Sequence, residues 1–318
     1  MITTESLCPT CYQVIPARIE VGKHVWMHKQ CPHHGKFSAM VERDPVWYGF
    51  CKSLCNSYIY NGYMLDITDR CNIQCKYCYH RNGVEDKGVE DIVKEALLCH
   101  KLVPFILSGG EPTMHPELPK ILKLLSSIGE TIIITNGIKL CNESYMESLI
   151  AAGIKEKGEV LRVGLSFHPE SKGKDIELLH LCRKKGYKLG SGLYVINSME
   201  QLDQAVEVYK EYADVLSTFR IKAASRVWNE QKPESTIFVS DMIAHLEKSG
   251  KVEIDVNSSN HKVSFAGVNY NGLNIKLVSW YNVGNIDLPD INCPPYYRAK
   301  DGNIYHMLTA FILNERVK

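Results

Sequence analysis

The sequence contains no long apolar run, and no stretch approaches the ~20 consecutive apolar residues that a membrane-spanning helix requires. Its first eleven residues lack the basic and apolar regions of a secretory signal peptide. It also lacks an excess of either charge, because 37 basic and 36 acidic residues leave a formal net charge of +1. We therefore expect a cytoplasmic chain without a transmembrane segment, and the charge balance gives no indication of a nucleic-acid partner.

Internal repeats and low-complexity tracts are absent as well, which argues against a solenoid. Cysteine, by contrast, is abundant. The chain has 12 cysteines, and eight of them lie within the first 78 of its 318 residues. In the reducing cytosol, clustered cysteines indicate metal binding more often than disulfides.

Three regions of different pattern divide the chain, and we predict domains at 1–60, 61–250 and 251–318. The central region alternates apolar strands with amphipathic helices, which is typical of a parallel sheet built from β/α units. Its six predicted strands cover 63–68, 105–108, 131–135, 162–166, 187–195 and 215–221. The predicted fold class is therefore α/β: a partial (β/α)6 TIM-like barrel, preceded by a cysteine-rich metal knuckle and followed by a C-terminal β-hairpin/helix extension.

The predicted extension has a hairpin that turns at Asn271-Gly272 and a helix over 304–316. We expect it to cover the open side of the barrel and to line the substrate site. Four aromatic residues with polar groups suit such a wall, namely Trp280, Tyr281, Tyr296 and Tyr297. Cys293 is a candidate thiol donor or stray metal ligand at the same opening.

A loop with three cysteines follows the first predicted barrel strand. Cys71, Cys75 and Cys78 offer three thiolates within eight residues, which suits one face of a [4Fe–4S] cluster. Three ligands leave one iron open to the amino and carboxylate groups of a methionine moiety. The alternative is a zinc site or a set of buried cysteines, but zinc requires a fourth ligand and usually takes pairs of cysteines two residues apart.

The motif C-x3-C-x-Φ-C after a first strand resembles the signature of the radical S-adenosylmethionine (SAM) superfamily. The resemblance implies that Tyr77, at the aromatic position, lies against the adenine of SAM. The second strand ends in Gly109-Gly110-Glu111-Pro112, which resembles the GGEP motif of that family. The resemblance implies that this turn receives the amino group of SAM. Glycine permits such a close approach of the backbone to a ligand.

The ends of the later strands carry further polar residues. By the same resemblance, residues at these positions contact the ribose, adenine and carboxylate of SAM; here they are Asn136, Ser166, Asn197 and Arg220. The alternatives are that Asn136 belongs only to a turn and that Arg220 is a solvated charge. His168 follows the fourth strand and is a further candidate to face the substrate.

The N-terminal region contains a second set of possible metal ligands. Cys8 and Cys11 form one knuckle-like turn, and Cys31 opens another after nineteen intervening residues, a spacing typical of zinc ribbons and rubredoxins. The fourth ligand stays open between three residues, which are His34, Cys51 and Cys55. We predict one mononuclear zinc or iron, the alternative being a small cap that binds no metal.

The N-terminal 80 residues resemble the corresponding region of archaeal tetraether-lipid synthases and their relatives, which include radical methyltransferases of pterin-type cofactor synthesis. The shared features are the CPTC and CPHHG turns and the DITDRCN segment. Those relatives carry a C-P-x-x-C-G-x-C run before the barrel. Tyr58 stands at the position of its last cysteine, which favours a single metal here over an auxiliary cluster.

Together these features imply an enzyme that cleaves SAM reductively to a 5′-deoxyadenosyl radical. The radical would abstract hydrogen from a small-molecule or lipid-like substrate, in a biosynthetic C–C bond formation, methylation or rearrangement. The resemblance implies a flavodoxin or ferredoxin as reductant. The alternatives are a glycyl-radical activase or other protein-modifying enzyme of the same superfamily, and a metal-binding module without catalysis.

Overall fold

The computed structural model describes residues 1–54, 62–75, 78, 83–155, 158–224, 236–257, 259, 262–279, 281–289, 296–298 and 303–306. The chain forms two compact units. The first comprises Met1–Tyr60, Ile196–Gln204 and Ile221–Lys318, and the second comprises Asn61–Val195 and Ala205–Arg220. The N-terminal and C-terminal segments belong to one unit here. The predicted division into three domains is not tested by this grouping and stays a prediction.

The first unit begins with a four-stranded antiparallel sheet, ordered as in the chain. Its strands are β1 (Ile2–Leu7), β2 (Val14–Val21), β3 (Val25–Cys31) and β4 (Gly35–Glu42). Helix α1 (Pro45–Ser53) follows, and the Asp44 side chain caps it by accepting a hydrogen bond from the amide of Val46 at 2.7 Å. This sheet is the scaffold of the cysteine-rich knuckle.

The parallel sheet predicted from the sequence is formed by strands between residues 63 and 223, most of which belong to the second unit. Its strands are β5 (Tyr63–Thr68), β6 (Phe105–Gly109), β7 (Thr131–Thr135), β8 (Val160–Phe167), β9 (Lys188–Ile196) and β10 (Phe219–Ala223). Strands β5 to β9 pair in parallel, and all six are neighbours in chain order. The α/β fold class is thereby confirmed, although β10 begins four residues later than predicted.

Helices connect the strands of this sheet. They are α2 (Val89–Leu98), α3 (Leu118–Leu125), α4 (Glu143–Leu149), α5 (Lys174–Lys185) and α6 (Met199–Tyr212). Shorter helical turns lie at His100–Leu102, Pro112–Met114, Ile138–Cys141, Ile150–Ile154 and Pro169–Ser171. In α3 the apolar residues recur at helical spacing, and Leu118, Ile121, Leu122 and Leu125 are all fully buried. The strand ends at one edge of this packed core carry the site.

The first unit continues with α7 (Val239–Leu246), β11 (Val252–Ile254), β12 (Phe265–Tyr270) and β13 (Leu273–Val278). The predicted hairpin turn is confirmed, because Asn271 and Gly272 connect β12 to β13 with φ of +49° and +89°. The predicted helix at 304–316 is wrong at its start. Ile304–His306 instead forms strand β15, because its β-branched and aromatic residues favour a strand. This strand pairs antiparallel with β14 (Tyr296–Arg298). Residues 307–316 lie outside the described residues.

Within this unit, the N-terminal sheet and α1 contact the later segments directly. The indole of Trp47 donates to the carbonyl of Val263 at 3.0 Å, and the side chain of Asn285 donates to the carbonyl of Met40 at 3.0 Å.

Tyr281, one of the aromatic residues predicted for a substrate wall, is buried. In the part of the chain that the structure describes, no helix is long and apolar enough to cross a bilayer.

Candidate cofactor site and metal centres

The three-cysteine loop begins where β5 ends. Cys71 and Cys75 are half-buried, whereas Cys78 is exposed. Among the described residues, the groups compact enough to hold a single ion include neither Cys71 nor Cys78. Sulfur atoms that are not gathered around one point fit a cubane, in which each thiolate binds a different iron, better than one tetrahedral ion.

The pKa values of two thiols in this loop, those of Cys71 and Cys75, lie above that of an ordinary cysteine. Burial raises the pKa of Cys71, and burial together with neighbouring negative charges raises the pKa of Cys75 to about 12. A thiolate at either position at neutral pH would therefore depend on a bound cation, such as the iron of the predicted cluster.

The Gly-Gly turn after β6 lies directly against the loop that follows β5. The amide of Gly110 donates to the carbonyl of Thr68 at 2.8 Å, and the amide of Glu111 donates to the carbonyl of Arg70 at 2.8 Å. A Cβ at Gly109 would lie 2.3 Å from the carbonyl oxygen of Thr68, and one at Gly110 would lie 2.3 Å from that of Arg70. Both glycines thus lie against the backbone of the chain itself, and the predicted contact of this turn with the amino group of SAM stays a prediction.

Glu111 joins the ends of β6 and β7. Its Oε1 atom accepts hydrogen bonds from the hydroxyl groups of Thr113 (2.6 Å) and Thr135 (2.7 Å) and from the Thr113 amide (3.1 Å). Its Oε2 atom accepts one from the amide of Asn136 at 2.8 Å. Burial raises the pKa of this carboxyl, while these donors oppose the shift. The carboxylate therefore holds the two strand ends in a defined relative position.

Asn136 extends this network to the cysteine loop. Its side-chain amide donates to the side-chain oxygen of Asn72 at 2.7 Å, and its own oxygen accepts from the amide of Ile138 at 3.1 Å. Asn72 lies between the first two cluster cysteines. Asn136 thus has a role beyond the turn, because it anchors the loop that carries them.

An ion pair supports the same loop from its other side. The Arg70 guanidinium donates to both carboxylate oxygens of Asp86, at 3.1 and 2.5 Å, and to the carbonyl of Met114 at 3.0 Å. The hydroxyl of Thr68 also donates to Asp86, at 2.6 Å. Asp86 belongs to no motif, so only the tertiary structure identifies its ion pair with Arg70 as a support of the loop.

For the remaining residues predicted to contact SAM, the described part of the chain contains no hydrogen bond to the cysteine loop. Ser166 is buried near the end of β8. Arg220 lies on β10, and its buried Nε atom has no hydrogen-bond partner among the described residues. Asn197 is exposed, and its amide donates to the side chain of Gln201 at 2.6 Å. Pro112 is buried at the start of a short helical turn. Tyr77 lies outside the described residues, so its predicted adenine contact stays a prediction.

The knuckle residues of the N-terminal sheet form a compact group of four. Ligand atoms of Cys8, Cys11, Cys31 and His34 all lie within 4.8 Å of one another. His34 Nδ1 is 3.4 Å from Cys31 Sγ and 3.7 Å from Cys8 Sγ. Three thiols and one imidazole suit a closed tetrahedral zinc site. Cys51 is buried on α1 and does not belong to this group, and Cys55 lies outside the described residues.

Hydrogen bonds within the knuckle favour the thiolate form of Cys8. Burial acts to raise the pKa of Cys8, but the amides of Cys11 and Thr10 donate to its sulfur and the net effect lowers that pKa. At Cys11 a hydrogen bond from the Gln13 amide lowers the pKa, but burial and the neighbouring Cys8 and Cys31 thiols outweigh it and the net effect raises that pKa. Tyr12 adopts φ +58° and donates its amide to the carbonyl of Cys8 at 2.9 Å, which closes the turn. A turn of this kind presents two thiolates towards one ion.

His168 and Glu170 join Cys75 in a second compact group, which the spacing of the motifs did not reveal. The ligand atoms of the three residues all lie within 4.8 Å of one another. The only sequence signal was the place of His168 directly after β8. Because the carboxyl ends of barrel strands meet at one face, a side chain after the fourth strand can reach a loop that follows the first.

Two family models match the chain. Residues 65–213 match the radical SAM superfamily, and residues 1–43 match the HMPTM N-terminal zinc ribbon domain. The zinc-ribbon match agrees with the compact group of three cysteines and one histidine.

Similar proteins include 7,8-dihydro-6-hydroxymethylpterin dimethyltransferase of Methanocaldococcus jannaschii, with 30% identity over 231 residues, 58% of this chain and 45% of that protein. A probable GTP 3′,8-cyclase of Methanocella arvoryzae is 33% identical over 96 residues, 28% of this chain and 30% of that protein. The chain thus spans less than half the length of these relatives.

Among solved structures, Streptococcus suis SuiB bound to precursor peptide SuiA has a similar fold, with a TM-score of 0.54 at 15% identity over 80% of this chain and 60% of that one. The match over residues 65–213, together with the cysteine loop and the Gly-Gly-Glu-Pro turn beside it, shows that this chain contains a domain of the radical S-adenosylmethionine superfamily.

Proposed function

We propose that the chain cleaves SAM reductively at a [4Fe–4S] cluster held by Cys71, Cys75 and Cys78, and that it modifies a small-molecule or lipid-like substrate. The observation that carries the proposal is the junction of the cysteine loop with the Gly-Gly turn and with Asn136. When bound, the cluster would supply the electron that cleaves SAM to methionine and a 5′-deoxyadenosyl radical. A flavodoxin or ferredoxin would supply electrons to the cluster.

The protein's own contribution is orientation. Hydrogen bonds from Gly110 and Glu111 to the loop place the cysteines beside the turn that would receive the amino group of SAM. Ser166, Asn197 and Arg220 are proposed to contact the rest of the cofactor. The buried Nε of Arg220 is suited to an anionic group such as the SAM carboxylate.

The N-terminal ribbon would hold one mononuclear zinc with Cys8, Cys11, Cys31 and His34, and its role would be structural, since a small unit gains much of its stability from such a metal. For the substrate, the pterin dimethyltransferase relative favours a methylation, with a C–C bond formation or rearrangement as the other outcomes. A peptide or protein substrate is the alternative.

The test is metal analysis and 5′-deoxyadenosine formation with anaerobically reconstituted full-length chain and dithionite. We expect about four irons and about one zinc per chain, whereas about eight irons would indicate an auxiliary cubane. Alanine at Cys71, Cys75 or Cys78 should abolish 5′-deoxyadenosine formation, and Cys182→Ala, which removes a buried sulfur from α5, should not. Near-normal cleavage by any of the three variants would overturn the cluster assignment.

Substrate class is tested separately, by incubating the wild-type enzyme with 7,8-dihydro-6-hydroxymethylpterin and analysing the products by mass spectrometry. The methyl group of the cleaved SAM leaves with methionine, so a second SAM or another added methyl donor must supply the transferred methyl. With such a donor present, stoichiometric 5′-deoxyadenosine and a mass gain of one or more methyl groups would support a methylation. SAM cleavage without any change in the pterin would refute this substrate while leaving the cluster assignment intact.

A further inference from the structure

A histidine and a carboxylate flank one of the three cluster cysteines. The Nδ1 atom of His168 lies 3.4 Å from the sulfur of Cys75, a hydrogen-bond distance for a sulfur acceptor. The carboxylate of Glu170 completes a group whose ligand atoms all lie within 4.8 Å of one another. Both side chains are half-buried, so water screens their effect on the sulfur only in part.

The backbone around His168 is held on both sides, which positions its ring. The preceding residue, Phe167, is buried and stacks on Tyr194 with ring centroids 5.8 Å apart. The amide of His168 donates to a carboxylate oxygen of Asp175 at 3.3 Å, and its carbonyl accepts from the amide of Ser171 at 2.9 Å. The approach of the imidazole to Cys75 is therefore set by β8 and by the start of α5.

We propose that His168 and Glu170 act through Cys75 to set the reduction potential of the cluster, His168 by donating an Nδ1–H hydrogen bond to the sulfur and Glu170 by opposing it with negative charge. This inference rests on the proposed cluster at Cys71, Cys75 and Cys78. One-electron reduction adds negative charge to the cluster and its thiolates. A donor to the sulfur stabilises the reduced state and raises the potential, whereas a carboxylate beside the sulfur lowers it.

The two residues therefore have effects of opposite sign, which a merely structural role would not produce. The readout is the ratio of reduced to oxidised cluster, measured by electron paramagnetic resonance at a fixed solution potential that half-reduces the wild-type cluster. The full-length reconstituted chain is used without SAM, so that an effect on SAM binding cannot change the result.

His168→Leu should lower the ratio about fivefold, because it removes one net hydrogen bond to the sulfur. His168→Asn should restore most of it, since its amide nitrogen occupies nearly the place of Nδ1. Glu170→Gln should raise the ratio about threefold, because it removes one negative charge a few ångströms away.

An unchanged ratio in His168→Leu at full iron content would overturn the proposal, as would a His168→Asn variant that behaves like the leucine variant. If His168→Leu loads too little iron to measure, Glu170→Gln decides, and an unchanged ratio there overturns the proposal. Failure of the cluster assignment itself is distinct, because wild-type protein would then lack about four irons and would form no 5′-deoxyadenosine.

Discussion

The ammonium group of Lys29 lies 2.8 Å from the carbonyl oxygen of Val283, although 254 positions separate the two residues. It also donates to the carbonyl of Leu7 at 2.7 Å and to the hydroxyl of Ser6 at 3.1 Å. Lys29 is only 4% exposed, and these acceptors suit the N–H groups of an ammonium. Because Leu7 adjoins Cys8, a proposed zinc ligand, this buried side chain connects the cysteine knuckle to the segment around Val283.

Lys29→Met should lower the free energy of unfolding by about 3 kcal/mol, because three buried acceptors lose their donor while the apolar stem is kept. Lys23→Met removes an exposed lysine from the turn between β2 and β3 and should change stability by less than about 0.5 kcal/mol. Denaturant titration measures both values, and hydrogen exchange of residues 281–288 reports whether that segment loosens. Equal effects of the two substitutions would contradict the role of Lys29.

Glu42 should make stability depend on pH. Burial raises the pKa of its carboxyl from 4.5 to about 7, although the Ser240 hydroxyl and the amides of Asp44 and Arg43 oppose the shift. The folded chain thus binds this proton more tightly than the unfolded chain does. Its contribution to stability is most favourable below pH 4.5 and is lost as the pH rises to about 7.

The measurement is the unfolding free energy of wild type and Glu42→Gln at several values between pH 5 and pH 8. Relative to the variant, which cannot ionise, wild type should lose about 3 kcal/mol across this range. The exposed Glu5→Gln serves as the control and should follow wild type at every pH. Parallel curves for wild type and Glu42→Gln would show that the buried carboxyl does not titrate as described.

Two adjacent histidines provide a matched test of the ribbon site. Both histidines are exposed, but His34 lies with the three cysteines and His33 does not belong to that group. His34→Ala should weaken zinc binding by at least about 100-fold, since loss of an outer-shell partner alone costs about 10- to 100-fold. His33→Ala should bind zinc as wild type does. Competition with a chelator measures both, and retained affinity in His34→Ala would point to a different fourth ligand.

Gly110→Ala should disturb the junction of the cysteine loop with the Gly-Gly turn. Its methyl group would lie 2.3 Å from the carbonyl oxygen of Arg70, so the backbone must shift at a cost of about 1–3 kcal/mol. We expect lower stability and reduced 5′-deoxyadenosine formation. Gly49→Ala, on α1 with no atom within 4 Å of its added methyl, should be neutral or slightly stabilising. Wild-type cleavage by Gly110→Ala would show that the turn can relax without harm.

Much of the fold could be predicted because its signals are local. The alternation of strands and helices, the apolar spacing of α3 and the Asn271-Gly272 turn each involve neighbours in the chain, and all three agree with the structure. The C-terminal extension was predicted less accurately. The strand Ile304–His306 replaces the start of a predicted helix, because its partner Tyr296–Arg298 is available only in the folded chain.

The sequence by itself determined the chemical identity of the site, since three cysteines at fixed spacing, a Gly-Gly-Glu-Pro turn and two cysteine knuckles specify donors whatever surrounds them. Only the tertiary structure decided which further groups meet those donors. It brought His34 rather than Cys51 to the knuckle and His168 to Cys75. These contacts depend on how strands and loops distant in the chain pack together, and no spacing along the chain records such a distance.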